Sequence, residues 1–143
     1  MNNADLIVAT LRANGITRGF GIPSGNVLPL MEAMRKGGVD FVLTAHEGSA
    51  GFAADVTGRM TGAPGLCIAT LGPGATNLAT GIGSAYLDRS PIIAITCNLN
   101  TDQLGRRIPH ERCMTGDAYR QADHRGAALA SEDHRALEWP GIA

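Results

Sequence analysis

The stretch TAHEGSAGFAADVTGRMTG, residues 44–62, decides how the rest of the chain is read. It has the spacing of a buried helix, yet Gly48, Gly51, Ala54 and Gly58 recur every three or four residues where bulky side chains would ordinarily pack. His46 and Glu47 stand at its start. A row of small residues lets backbones approach closely, so this helix is expected to lie hard against another element with Glu47 at its entrance. A carboxylate there also has a plain use, because negative charge in a first turn complements the helix dipole.

Outward from this helix, two periods alternate. ADLIVATLRANG places Leu6, Ile7, Ala9, Thr10 and Leu11 on roughly one helical face and stops at Gly15. ITRGFGI reads as a strand; Ser24 is a candidate N-cap for GNVLPLMEAMRK, with Leu28, Leu30, Met31 and Met34 at helical spacing up to Gly37 and Gly38. VDFVLT reads as a strand leading into the opening stretch. GLCIAT and SPIIAITC are nearly continuous apolar runs, the pattern of strands buried on both faces, and GPGATNLATGIGSAYLD between them reads as a helix entered through a Pro-Gly turn. Strand and helix in strict alternation predict an α/β fold, a doubly wound parallel sheet with helices on both faces. Ligands in such sheets sit at the carboxyl ends of the strands, which selects the loops at 21–26, 44–47, 70–77 and 97–102.

Composition narrows the function. With a formal charge of −1 over 143 residues and a single lysine, Lys36, the chain lacks the clustered positive charge that nucleic acid or an anionic membrane surface would require. No apolar run approaches the ~18 residues of a membrane span, and the first fifteen residues have no basic leader. Cys67, Cys97 and Cys113 show no CxxC spacing and read as small core residues of a reducing compartment. A cytoplasmic location is the expectation.

Two glycine loops invite a phosphate-binding reading, and neither fits it. GPGATN, residues 72–77, lies between strand and helix where exposed N–H groups can hold an anion. No Lys-Ser or Lys-Thr follows it, and Asn77 stands where the dinucleotide fingerprint needs its third glycine. GFGIPSG, residues 19–25, is an ordinary strand-to-helix turn by itself.

In order, however, a strand ending in FGIPSGNVLPL, a strand followed by HEGSAGFAADVTGRMTG, and a strand followed by GPGATNLATGIGSAYLDRSPIIAIT resemble one family. They are similar to the pyrimidine-binding domain of thiamine diphosphate enzymes, in the branch of acetolactate synthases, pyruvate oxidases, benzoylformate decarboxylases and glyoxylate carboligases. The resemblance covers residues 1–107. It implies the thiamine diphosphate-binding fold, a small 2-oxo acid substrate, and either carboligation or decarboxylation. It also implies a homodimer through the Glu47 helix, whose small residues Gly48, Gly51, Ala54 and Gly58 would pack against the second copy, with thiamine diphosphate held at that interface.

The same resemblance assigns roles. Glu47 corresponds to the carboxyl that exchanges a proton with N1′ of the cofactor's aminopyrimidine, and the small uncharged residues after it would wall it off from water. His46 is left to packing or positioning. Pro23, Ser24 and Gly25 would lie over the pyrimidine and the substrate, with the Ser24 hydroxyl either meeting a substrate carboxylate or capping the helix. Thr70, Leu71, Gly72, Pro73, Gly74 and Asn77 would line the cofactor, Asn77 being able to donate to a reacting oxygen. No metal ligand is assigned in this chain: Mg²⁺ and the diphosphate would be held by a second domain or subunit, without which the chain is expected to be inactive. FAD, which some members of the family bind, is left open.

Departures accompany the match. Where acetolactate synthases carry Phe-Gln-Glu after the fourth strand, this chain has NLNTDQLGRRI, with Gln103 as the one stand-in. Residues 108–143 lose periodicity, contain three of the four histidines and have no valine. Their His110, Cys113, His124 and His134 match no zinc-site spacing, and a solvated tail is the simpler reading. Two origins are open for such a chain. It is the pyrimidine-binding subunit of a split, heteromeric decarboxylase, or, as the irregular tail favours, the front of a gene truncated or frame-shifted near residues 107–109. A non-catalytic dimerising module that binds a nucleotide-like ligand is the rival of a different class.

Overall fold

The helix expected over the opening stretch forms as α3, Glu47–Thr61, and the reason it starts and stops there is local. His46 is its N-cap: Nδ1 accepts the Gly48 N–H at 3.0 Å, satisfying one of the donors that a first turn leaves open. Gly62, at φ 74°, ends it. The computed structural model describes residues 2–98 and the backbone of Leu129–Ala130. Gln103, His110, Cys113, His124, His134 and the junction at 107–109 lie outside the described residues.

Around α3 the order is α1 (Asn3–Ala13), β1 (Arg18–Gly21), a 3₁₀ turn (Gly25–Val27), α2 (Leu28–Gly37) and β2 (Asp40–Leu43) before it. After it come β3 (Gly65–Ala69), α4 (Pro73–Leu87), β4 (Ile92–Thr96) and the two-residue β5 (Leu129–Ala130). All pairings are parallel and the strand order is β2-β1-β3-β4-β5. The doubly wound sheet expected from the alternating periods is therefore present, and its winding reverses between β1 and β3.

Each strand alternates its side chains between two layers. Leu66 and Ile68 of β3 and Ile93 and Ile95 of β4 join Val8, Leu11, Val27, Met34 and Val39 beneath α1 and α2. Cys67, Ala69 and Ala94 join Ala50, Ala54, Leu78 and Ile82 beneath α3 and α4. β3 is buried along its whole length, as its apolar run predicts, whereas Ile92, Ile93 and Ile95 of β4 are half-buried.

The helix faces needed correction. In α1 the inward residues are Val8 and Leu11 with Ala4 packed beside them, and Leu6 and Ile7 face water, because the helix is rotated by about one residue from the face its apolar content suggests. Its start is fixed by a capping box: Asn2 Oδ1 accepts the Asp5 N–H and Asp5 Oδ2 accepts the Asn2 N–H. In α2, Ala33 and Met34 are buried and Leu28 is exposed. Ser24 precedes the 3₁₀ turn and makes no side-chain capping bond there.

The expected close approach of α3 is made inside the chain, to α4. A Cβ added at Gly81 would lie 2.7 Å from Gly51 Cα, and one added at Gly51 would lie 3.0 Å from Gly81 Cα. Further along, Arg59 reaches both Asp55 Oδ2 (2.8 Å) and Asp88 Oδ2 (3.1 Å), which joins the last turns of α3 to the end of α4. Asp55 is buried, and its Oδ1 has no hydrogen-bond partner.

Candidate active site

The reversal of winding between β1 and β3 opens a crevice at the carboxyl ends of the strands, where a doubly wound sheet binds its ligands. Three segments leave the sheet there: residues 22–25 after β1, 44–46 after β2 and 70–72 after β3. Thr44 keeps the second of these in register, its N–H bonded to Gly21 O and its hydroxyl donating to His46 O at 3.1 Å.

Glu47, the first residue of α3, is buried at 9% exposure, and its carboxylate is held by the neighbouring helix. Asn77 Nδ2 donates to Glu47 Oε2 at 3.0 Å, across a sequence separation of thirty residues. The other oxygen, Oε1, faces the turn that enters α4, where a Cβ added at Gly74 would lie 3.3 Å from it and 2.7 Å from Thr70 Cγ2. Gly72 makes that turn possible: its φ of 65° with ψ of −122° is a conformation that side chains disfavour, and Pro73 then starts the helix without needing a partner for its nitrogen.

The structure thus brings Glu47, Thr70, Gly74 and Asn77 together, with Gly72 and Pro73 forming the turn around them. Pro23, Ser24 and Gly25 leave the neighbouring strand β1 at the same end of the sheet. The Ser24 hydroxyl oxygen is shielded from solvent and has no hydrogen-bond partner, so capping, one of its two expected uses, is not what holds it. Asn77 also makes a bond the sequence did not suggest, to Glu47 itself. Two participants escaped the sequence reading: His46 as the cap of the Glu47 helix, and Gly81 as the counterpart of Gly51. The small-residue text of GIGSA carries the second signal, and no spacing rule carries the first.

Among the described residues, no three His, Cys, Asp or Glu side chains gather in a way that could hold a metal ion, and no helix is long and apolar enough to cross a membrane. The buried Cys67 thiol is pushed up to about 12 by desolvation, which leaves it protonated and unreactive at neutral pH.

The sequence that builds this fold and site is matched by a known family profile. The profile described as thiamine pyrophosphate enzyme, N-terminal TPP binding domain, matches residues 1–123. The chain belongs to this family. Among its relatives, the acetolactate synthase isozyme 2 large subunit of Escherichia coli K12 is 41% identical over 137 residues, covering 96% of this chain and 23% of that protein. The acetolactate synthase large subunit of Corynebacterium glutamicum is 40% identical over 135 residues, 94% of this chain and 20% of the relative. A probable acetolactate synthase large subunit of Methanocaldococcus jannaschii is 38% identical over 134 residues, 94% of this chain and 21% of the relative. The chain therefore spans about a fifth of the length of these relatives. Similarity to the family continues past Arg107, where the domain boundary was expected, to residue 123.

Family membership makes thiamine diphosphate the cofactor that the site must fit. An aminopyrimidine presents the ring nitrogen N1′ on the edge opposite its exocyclic amine, and flat faces to either side. A shielded carboxyl with one oxygen turned toward the turn at Gly74 suits that edge, and the unpartnered Ser24 hydroxyl leaves a polar group without a protein partner at the same sheet end.

Proposed function

We propose that this chain is the pyrimidine-binding part of a thiamine diphosphate enzyme that joins 2-oxo acids, in the manner its acetolactate synthase relatives are named for. The observation that carries the reading is the buried Glu47 carboxyl at the entrance of α3, fixed from one side by Asn77.

The chain's own part in such a reaction is to manage one proton. Glu47 gives a proton to, and takes it back from, the aminopyrimidine ring nitrogen, which favours the imino form of the cofactor's amino group. Burial raises the strength of that hydrogen bond, because the local dielectric is low and water does not compete. Gly72, Pro73 and Gly74 would lie along the cofactor, with Thr70 beside them, and Pro23 and Gly25 would cover the pyrimidine. Ser24 would donate its hydroxyl to the carboxylate of the 2-oxo acid. When bound, thiamine diphosphate supplies the acidic thiazolium carbon that adds to the 2-oxo group. Mg²⁺ and the diphosphate would be held by a second domain or subunit. A second copy would pack on the outward face of α3, where Phe52, Val56 and Met60 leave an apolar row exposed.

The test is proton exchange at the thiazolium carbon, followed by NMR in deuterated buffer with the diphosphate-binding part supplied. Glu47→Gln is expected to slow exchange by roughly 100-fold, the scale of a lost general acid–base group. A non-catalytic ligand-binding module would instead show no exchange before or after the substitution. The purified chain alone is expected to leave 2-oxo acids unconverted; turnover by it would overturn the division of labour proposed here.

A further inference from the structure

We infer that Asn77 is a positioning residue for Glu47, its side-chain amide fixing Oε2 so that Oε1 alone is presented to the ligand. The inference rests on the role proposed for Glu47 and adds the group that makes that role possible. The two carboxylate oxygens are distinguished in the structure: Oε2 receives the Asn77 amide at 3.0 Å, while Oε1 lies beside Gly74 and the Thr70 methyl side of the turn. His46, the adjacent titratable side chain, is engaged through Nδ1 as acceptor of the Gly48 N–H.

The chemistry of the partner matters as much as its place. A free glutamate has three rotatable side-chain bonds whose freedom is lost on ordering; an anchor one turn into α4 removes that freedom before the ligand arrives. A lysine or arginine here would hold the carboxylate in its charged state through a charge-assisted bond. A primary amide does not, because it is neutral. Asn77 donates through Nδ2 to Oε2 when the carboxyl is ionised and equally when the proton is on Oε1, since Oε2 is then the carbonyl oxygen of the acid and still accepts. It therefore accompanies Glu47 through both halves of a proton exchange.

The experiment compares thiazolium-carbon exchange in the holoenzyme for Asn77→Ala, Asn77→Asp and Glu47→Gln, with cofactor affinity and melting temperature measured on each. Asn77→Ala is expected to slow exchange roughly 10- to 100-fold, as loss of orientation by about an ångström does, while cofactor affinity changes less than about threefold. Asn77→Asp keeps the shape but sets two carboxylates 3 Å apart, which then share a proton. Its exchange should be slowest at neutral pH and recover as the pH is lowered and the pair becomes singly protonated. A residue that merely packs would give neither the split between rate and affinity nor the acid recovery. Wild-type exchange in both Asn77 variants, with exchange lost in Glu47→Gln, overturns the inference and leaves the role of Glu47 standing. Wild-type exchange in Glu47→Gln overturns that role itself, and the inference with it.

Discussion

The two faces of the sheet are built by opposite means. Beneath α1 and α2 the core is bulky: Val8, Leu11, Val27, Met34, Val39, Leu66 and Ile68 interlock through their side chains. Beneath α3 and α4 it is assembled from Ala50, Ala54, Cys67, Ala69 and Ala94, with Leu78 and Ile82 as its large buried members and Phe20 and Ile92 half-buried against them, and Gly51 meets Gly81 backbone to backbone. Bulk contributes stability by removing apolar surface from water, about 1.5–3 kcal/mol for each large side chain. Closeness contributes less area and more definition, because two backbones in contact cannot be repacked by rotating a side chain. The residues of the candidate site start the two helices of the close-packed face. One face keeps the domain folded, and the other fixes where a carboxyl and an amide meet.

The comparison can be broken most severely at its tightest point. Gly81→Val is expected to cost on the order of 4–5 kcal/mol and to leave the chain largely unfolded in a urea titration, since its side chain would meet Gly51 backbone that has nowhere to move. Met34→Ala opens a cavity in the bulky face, where it is fully buried, and is expected to cost about 3 kcal/mol in the same titration. Should Met34→Ala prove the more damaging of the two, the contrast drawn between the faces is wrong. Arg59→Ala strands the buried Asp55 carboxylate and is expected to cost about 2 kcal/mol, less than a fully buried pair because Arg59 is half exposed.

Alkaline pH sharpens the contrast more gently. Cys67 in the close-packed face has its thiol raised to about 12 from an ordinary 9 by burial, so between those values the unfolded chain has lost a proton that the folded chain retains. Stability is thus unaffected below about pH 9 and falls by up to about 1.4 kcal/mol per pH unit above it. Cys67→Ala should flatten that slope, read as the urea midpoint at pH 8.5 and 10.5. The smallest effect on folding is expected from Glu47→Gln, within about 0.5 kcal/mol, because the amide still accepts from Asn77. A large loss of stability there would mean that the carboxyl serves the fold rather than the ligand.

Much of the architecture was legible because hydrophobic period reports burial directly. The run GLCIA could only be a strand covered on both faces, and the small residues of residues 44–62 foretold a close approach. What approaches was misread, since the row of Gly48, Gly51 and Gly58 was assigned to a second copy and is occupied by α4 and the segment before β4. A one-dimensional pattern tells how near a neighbour comes and not which neighbour it is. For the same reason the inward face of α1 was placed one residue off: Leu6 and Ile7 are as apolar as Val8, and only the tilt of the helix on the sheet separates them. At the site, Glu47 and the Gly-Pro-Gly turn were found by their order along the chain. The bond from Asn77 to Glu47 was not, because it joins residues thirty apart in sequence, placed by the strand and helix between them.

The bridge from Arg59 to Asp88 lies at the opposite end of α3 from Glu47. With fifteen residues the helix is about 22 Å long, so the bridge ties one end of a rod whose tip carries the carboxyl. A tilt of about 3° moves the tip by about 1 Å, a displacement that costs on the order of 100-fold in rate where orientation governs chemistry. Substitutions around Asp88 are therefore expected to shift the Glu47 carboxyl from about two nanometres away while every residue at the site keeps its identity.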